Sequence, residues 1–301
     1  MSKYLICIMG PTAVGKTSKG IELAKHFSTE IISADSRQFY KEMKIGTAVP
    51  TEKELKEVPH HFIQHISIKD SYSVGDFEKD ALRKLEFLFQ KHDVVLMVGG
   101  SGLFVKAVTQ GLDVFPEVDL DLREKLNQQV KENGLESLQN KLKKLDPLYA
   151  EQVDLENPRR VIRALEVCIT SGKPFSSFLN QTKPERFFKT IKIGLQAPRE
   201  ILYKRINERV DQMMKEGLLE EVKELYALKD KKALNTIGYK ELFNFMESQY
   251  SLEFAVEEIK KNTRRFAKRQ MTWYRKDSSI KWFSYNQSAE EIIKYLQLQI
   301  E

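Results

Sequence analysis

Tyr4-Leu-Ile-Cys-Ile-Met-Gly10-Pro-Thr-Ala-Val-Gly15-Lys-Thr-Ser18 joins an unbroken apolar run to a glycine-bounded loop and then to helix-forming residues. Six apolar residues in a row suit a strand buried on both faces, as in a parallel sheet. The loop behind it, Gly10, Pro11, Thr12, Ala13, Val14, Gly15, Lys16 and Thr17, places two glycines and a Lys-Thr pair at the spacing of a phosphate-binding loop. Such a loop folds its backbone N–H groups into an anion cradle at a helix N-terminus. Lys16 adds a point charge, and the Thr17 hydroxyl is the expected protein ligand of Mg2+. A diphosphate or polyphosphate is therefore expected here; the loop alone leaves open which one and what becomes of it.

Outward from this loop, helix-forming residues lead to a second strand ending in Ala34-Asp35-Ser36-Arg37-Gln38, and a third, Asp93 to Val98, closed by Gly99-Gly-Ser101-Gly102. Strands alternating with helices imply a parallel sheet with its functional loops at the carboxyl edge. Residues 119–180 carry helix-period charged segments and no convincing strand, and a strand returns at Thr190 to Leu195. The expectation is an α/β P-loop core with a parallel sheet flanked by helices, built from residues 1–114 and 190–301, with an all-helical insertion over 115–189.

The 301 residues carry 49 Lys and Arg against 43 Asp and Glu, a net +6 that permits a polyanionic partner without demanding one. Cys7 and Cys168 lie in apolar segments without zinc spacing and read as reduced core residues. The five histidines, His60-His61 included, form no ligand pattern. The chain enters its first strand at once and has no apolar stretch of membrane-spanning length. A cytoplasmic monomer, with neither a membrane nor an obligate protein partner, is expected.

Asp35 closes a strand beside the phosphate loop, where it suits a general base and equally a helix cap or a carboxylate in the Mg2+ shell. Ser36 and Gln38 add hydrogen-bonding groups suited to a purine edge. Ser101 brings a hydroxyl to the neighbouring strand end, while the glycines around it serve either the site or close packing. That strand ends in Val98-Gly99, without the Asp that many ATP-hydrolysing relatives of the loop carry. Asn157-Pro158 caps a helix bearing Arg159, Arg160 and Arg163, either a solvated basic face or a backbone-phosphate contact. Between Lys260 and Lys276 lie eight positive charges and no acid, interleaved with Phe266, Trp273 and Tyr274. Such a face repels itself unless an anion covers it, which favours nucleic acid and marks Lys268 and Arg269 as candidate contacts.

These pieces together resemble the tRNA dimethylallyltransferase family, also called tRNA isopentenyltransferases. The resemblance rests on Gly10 to Thr17, Asp35-Ser-Arg-Gln-Phe-Tyr40, Gly46-Thr-Ala48, Pro59-His-His61, Gly99-Gly-Ser-Gly-Leu103, Asn157 to Val167, Ile237-Gly-Tyr239 and Lys268-Arg-Gln-Met-Thr-Trp273, in family order over nearly the whole chain. It implies transfer of a dimethylallyl group from dimethylallyl diphosphate to N6 of the adenosine immediately 3′ of the anticodon, in tRNAs reading codons that begin with U. The loop from Gly10 to Thr17 would then cradle a diphosphate that leaves. By the same resemblance Asp35 is the base, Lys16 and Arg209 stabilise the leaving group, and Ser101 lies between donor and acceptor. Contacts to tRNA are implied for Asp35, Ser36, Arg37, Gln38, Ser101, Arg123, Arg159, Arg160, Val161, Ile162 and Arg163. Ser101 stands where threonine is commoner, and keeps the hydroxyl. A small-molecule P-loop kinase and an adenylate-directed, cytokinin-type isopentenyltransferase share the front half of this pattern.

Overall fold

Tyr4, Ile6 and Ile8 join the core on one side of β1 (Tyr4–Met9) and Leu5, Cys7 and Met9 the core on the other, and all six are buried. Only a strand inside a helix-covered sheet can bury both faces in this way. A computed structural model describes residues 2–181 and 185–300. After β1 come α1 (Lys16–His26), β2 (Ile31–Ser33), α2 (Glu52–Glu57), β3 (His60–His61), α3 (Val74–Leu88), β4 (Val94–Val98) and α4 (Gly102–Gln110). A helical stretch follows, with α5 (Leu120–Asn133), α6 (Glu136–Leu145), α7 (Pro147–Gln152) and α8 (Pro158–Ser171). The sheet resumes with β5 (Lys189–Gln196), then α9 (Arg199–Lys215), α10 (Leu218–Glu224), α11 (Tyr239–Met246), α12 (Leu252–Tyr274), β6 (Lys281–Ser284) and α13 (Ala289–Gln297).

All strand pairs are parallel, in the order β3-β2-β4-β1-β5-β6. In register, Tyr4 faces Val94 on one flank and Lys189 on the other, so β1 is central and its carboxyl end opens between two neighbours. Ile21, Leu23 and Ala24 of α1, Ile206 of α9 and Ile292 of α13 cover one face; Phe77, Ala81 and Leu85 of α3 and Val105 and Val108 of α4 cover the other. Each such side chain taken out of water stabilises the fold by about 1.5–3 kcal/mol for the larger ones. β3 escapes a pattern-based reading because two residues carry no periodicity. Cys7 and Cys168 are both buried and unpaired, as expected.

The chain forms two compact units, one ending at Gln110 and resuming at Arg186, the other comprising Gly111–Glu185. This division falls slightly earlier at both ends than the 115–189 expected from the pattern, because α4 closes at Gln110 and Arg186 already bonds into the first unit. There the Arg186 guanidinium donates to the Ala107 carbonyl at 2.8 Å and pairs with Glu78. The second unit contains no strand among its described residues. Leu126, Leu138, Leu142, Val161 and Leu165 form its core. Asn157 caps α8 through the Arg160 amide, Pro158 opens the helix, and Gly172 closes it in the left-handed conformation at φ 67°.

Candidate active site

The carboxyl ends of β1, β2 and β4 open into one cleft of about 1370 Å3, lined wholly by residues of the first unit. Gly15, Lys16 and Thr17 line one wall, and Asp35 to Gln38 with Lys44 to Thr51 the other. Ser101 comes from the β4 end, Arg205 and Arg209 from α9, and Gln270, Trp273 and Tyr274 from α12. The strand-end loops at Gly10, Asp35 and Gly99 thus converge, as parallel-sheet topology requires.

On the first wall Ala13 is held at φ 63° and Lys16 Nζ donates to the Pro11 carbonyl at 2.8 Å. Burial is the main force lowering the Lys16 ammonium to about 8; the Asp35 carboxylate resists this and the Arg209 guanidinium adds to it. Asp35 is pushed upward, again mainly by burial, against the Arg37 amide, which donates to Oδ1 at 3.2 Å, and against the charges of Lys16, Arg37 and Arg209. Arg209 is lowered by burial of its head and by Arg205, while Asp35 and Glu54 support its charge. Arg209 still reaches solvent, so water screens part of each interaction. One carboxylate with an elevated proton affinity therefore sits within the field of two cations, an arrangement suited to proton abstraction beside a departing anion.

On the second wall the Ser101 hydroxyl accepts from the Ser36 amide at 3.2 Å and lies 3.3 Å from the Ser36 hydroxyl. The Gln38 amide donates to the carbonyls of Thr47 and Ala48 and accepts from Ser33, so both of its ends are engaged by the protein. Arg37 donates to the Ala233 carbonyl at 2.8 Å. These contacts make Arg37 and Gln38 struts of the wall as well as candidate RNA contacts.

The glycines around Ser101 answer to close packing. A Cβ at Gly99 would lie 2.2 Å from the Ala34 carbonyl, and one at Gly100 would lie 2.5 Å from the Gln270 amide nitrogen. Gln270 is a site residue that sequence reasoning missed. Only 7% exposed, it accepts from the Thr12 amide and donates to the Gly100 carbonyl, both at 2.9 Å, tying the phosphate loop to the β4 loop. Its position inside a run of cations drew attention to the charges around it. Tyr274, expected only as an aromatic of the basic run, lies instead on the cleft lining: its hydroxyl is buried without a hydrogen-bond partner among the described residues, and burial with the Asp35 charge holds it protonated.

Other expected sites lie elsewhere. In the helical unit Arg123 and Arg163 converge on Glu166, which is 0% exposed, and Arg163 stacks over Phe115 at 5.3 Å. Arg159 and Arg160 are exposed on the same helix, whereas Val161 and Ile162 are buried in the unit's core, so their side chains are unavailable to a partner. The expectation of an unpaired positive face over Lys260–Lys276 needs correction in its first half. Lys260 pairs with Asp211 and Glu257, Lys261 pairs with Glu258, and Arg264 bonds Asn207. The neutralising acids, Asp211, Glu257 and Glu258, lie outside residues 260–276. Toward the end of α12, Lys268, Arg269, Trp273 and Lys276 line a shallow depression of about 230 Å3, and Phe266 and Trp273 are exposed.

Among the described residues no group of three His, Cys, Asp or Glu side chains is arranged to hold a metal ion. His61 instead bonds Glu30 at 2.6 Å on the sheet edge. Thr17, in the first turn of α1 and on the cleft wall, fits an ion held mainly by phosphate oxygens and water. No helix among the described residues is long and apolar enough to cross a membrane.

A protein-family model described as IPP transferase matches residues 38–277. The chain is 63% identical over 300 residues to the tRNA dimethylallyltransferase of Christiangramia forsetii, covering 100% of this chain and 99% of that one. It is 54% identical over 300 residues to that of Flavobacterium johnsoniae, covering 98% and 97%. Among solved structures, the tRNA isopentenylpyrophosphate transferase of Bacillus halodurans superposes with a TM-score of 0.74 at 38% identity, over 100% of this chain and 97% of that one. A eukaryotic dimethylallyltransferase acting on tRNA gives a TM-score of 0.79 at 27% identity, over 99% of this chain and 78% of that one. With the family model spanning residues 38–277 of the 301 and these relatives matching 98% or more of the sequence, the chain belongs to the IPP transferase family.

Proposed function

We propose that this protein is a tRNA dimethylallyltransferase that alkylates N6 of the adenosine immediately 3′ of the anticodon, in tRNAs reading codons that begin with U, and releases diphosphate. The observation that carries this reading is Asp35 standing in the same cleft as Lys16 and Arg209, within their electrostatic field. A kinase would use such a loop to pass a phosphoryl group onward. Here the phosphates stay on the leaving group.

The exocyclic amine is a weak nucleophile because its lone pair is delocalised into the ring. In the reaction the N6 electron pair forms a bond to C1 of the dimethylallyl group as the allylic C–O bond breaks. The C–O electron pair departs with diphosphate, and an N6 proton passes to Asp35. Lys16, the amides of the loop and Arg209 meet the charge developing on the departing oxygen. Mg2+, held by Thr17 and the diphosphate oxygens, would supply further neutralisation of that charge. A base inside an RNA stack cannot reach the cleft floor, so the adenosine must be extruded. Arg159 and Arg160 on the helical unit, with Lys268 and Arg269 on the first, are the cations offered to the RNA backbone. A tRNA substrate, with no helix among the described residues long and apolar enough to cross a membrane, supports a cytoplasmic location.

The test incubates purified protein and Mg2+ with radiolabelled dimethylallyl diphosphate and an anticodon stem-loop carrying the adenosine, beside a stem-loop lacking it and beside AMP. Label in the first RNA alone, abolished by EDTA, is expected. Label on AMP would move the protein to the nucleotide-directed branch, and no transfer to any acceptor would overturn the reading.

A further inference from the structure

We infer that Glu221 and Tyr239 form a latch that positions the acceptor wall of the cleft, an inference that rests on the prenyl-transfer reading above. Glu221 sits on α10, outside every motif that suggested chemistry, yet its carboxylate collects four hydrogen bonds. Oε2 accepts from the backbone amides of Lys44 at 3.0 Å and Ile45 at 2.7 Å. Oε1 accepts from the amide of Gly46 at 3.0 Å and from the Tyr239 hydroxyl at 2.6 Å. Three consecutive amides closing on one carboxylate form an anion cradle filled from within the chain. The Tyr239 ring completes it from the other side: a Cβ at Gly46 would lie 2.6 Å from that ring.

What the latch holds is the segment that carries the wall. Beyond Gly46, Ala48 is kept at φ 50°, a left-handed conformation costly for a residue with a Cβ. The carbonyls of Thr47 and Ala48 then receive the Gln38 amide, three residues from the Asp35 base. A continuous chain of bonds thus runs from Glu221 through residues 44–48 to Gln38 and the base-bearing loop. Neither Glu221 nor Tyr239 is among the residues lining the cleft. They are positioning residues, and their effect should fall on the acceptor. The donor wall is built from residues 12–17 and Gln270, with no bond to this segment among those described.

The geometry also explains why the latch is a carboxylate. Glutamine at position 221 has the same shape but turns one acceptor into a donor, which must face either two amides or the Gly46 amide with the tyrosine hydroxyl. At least one of the three amides, of which those of Ile45 and Gly46 are part-buried, then loses its partner.

The test compares wild type, Glu221→Gln, Tyr239→Phe, Gln38→Ala and the Glu221→Gln/Gln38→Ala double variant in the stem-loop transfer assay, well below each melting temperature. Wild-type transfer to the stem-loop checks the functional reading independently; its absence would sink that reading, not the latch alone. Glu221→Gln is expected to lower kcat about tenfold, the scale of one lost charge-assisted hydrogen bond, at an unchanged KM for dimethylallyl diphosphate. Tyr239→Phe, which keeps the ring and all three amide bonds, should lose less. The double variant should lose little more than Gln38→Ala alone, because the latch acts through that residue. Unchanged kcat in a folded Glu221→Gln variant, an equal rise in KM for dimethylallyl diphosphate, or full additivity with Gln38→Ala would each overturn the inference.

Discussion

The two walls of the cleft are held in opposite ways. The phosphate wall is nearly self-sufficient: one contiguous loop, with Lys16 bonding the Pro11 carbonyl five residues back, is closed from outside by Gln270. The acceptor wall borrows its shape from remote parts of the chain, through Arg37 to Ala233, Glu221 to residues 44–46, and Ser36 to Ser101. A site for a small, generic anion can be encoded locally. A site that must bring a nucleoside edge to a base within tenths of an ångström needs supports fixed by tertiary packing.

The sharpest way to break this division is Asp35→Asn. Asparagine keeps an acceptor for the Arg37 amide but cannot take the proton, so kcat should fall by about 10²–10⁴. KM for dimethylallyl diphosphate should change little, as steady-state kinetics with the stem-loop would record; a comparable rise in that KM would mean the walls are not separable.

A second effect, about tenfold per pH unit at its limbs, concerns the pH dependence of kcat/KM, which reports on the free enzyme. Lys16 loses its proton as pH rises through about 8, removing positive charge from the phosphate wall, so activity should fall on the alkaline side. Asp35, raised by burial, loses its basic form as pH falls through a value above the usual carboxylate range, which sets the acid limb. Asp35→Asn should erase the acid limb in the residual activity and leave the alkaline one. Loss of both limbs together would contradict the assignment.

The smallest effect is expected where the walls meet. Gln270→Leu strands the Thr12 amide and the Gly100 carbonyl, each at a cost of about 1–3 kcal/mol when buried. Scanning calorimetry should register a Tm lowered by several degrees, at roughly 2–4 °C per kcal/mol for a chain of this size. An unchanged Tm would show that water replaces the glutamine.

The same contrast explains what could be read from the sequence. The loop from Gly10 to Thr17 declared itself because its residues are adjacent and its strand context is local. Asp35 and Ser101 followed from their place at strand ends, since topology alone sends such residues to one edge. The roles of Gln270, though it stands in a family motif, and of Glu221 were not legible, because each bonds backbone groups far away in sequence that no spacing rule connects. The basic run on α12 misled for a related reason: its first lysines are neutralised by Asp211, on another helix, and by Glu257 and Glu258, just upstream. The helical insertion was legible as helix from its period, and the cap at Asn157-Pro158 from its residue types.

Arg186, which bonds the Ala107 carbonyl and Glu78, gathers the points where the chain leaves the first unit and returns to it. A segment whose two stems are tied at one place on its host can lengthen, shorten or be exchanged between lineages without rethreading the sheet. Substitutions can therefore accumulate in the helical unit while the chemical centre is inherited intact.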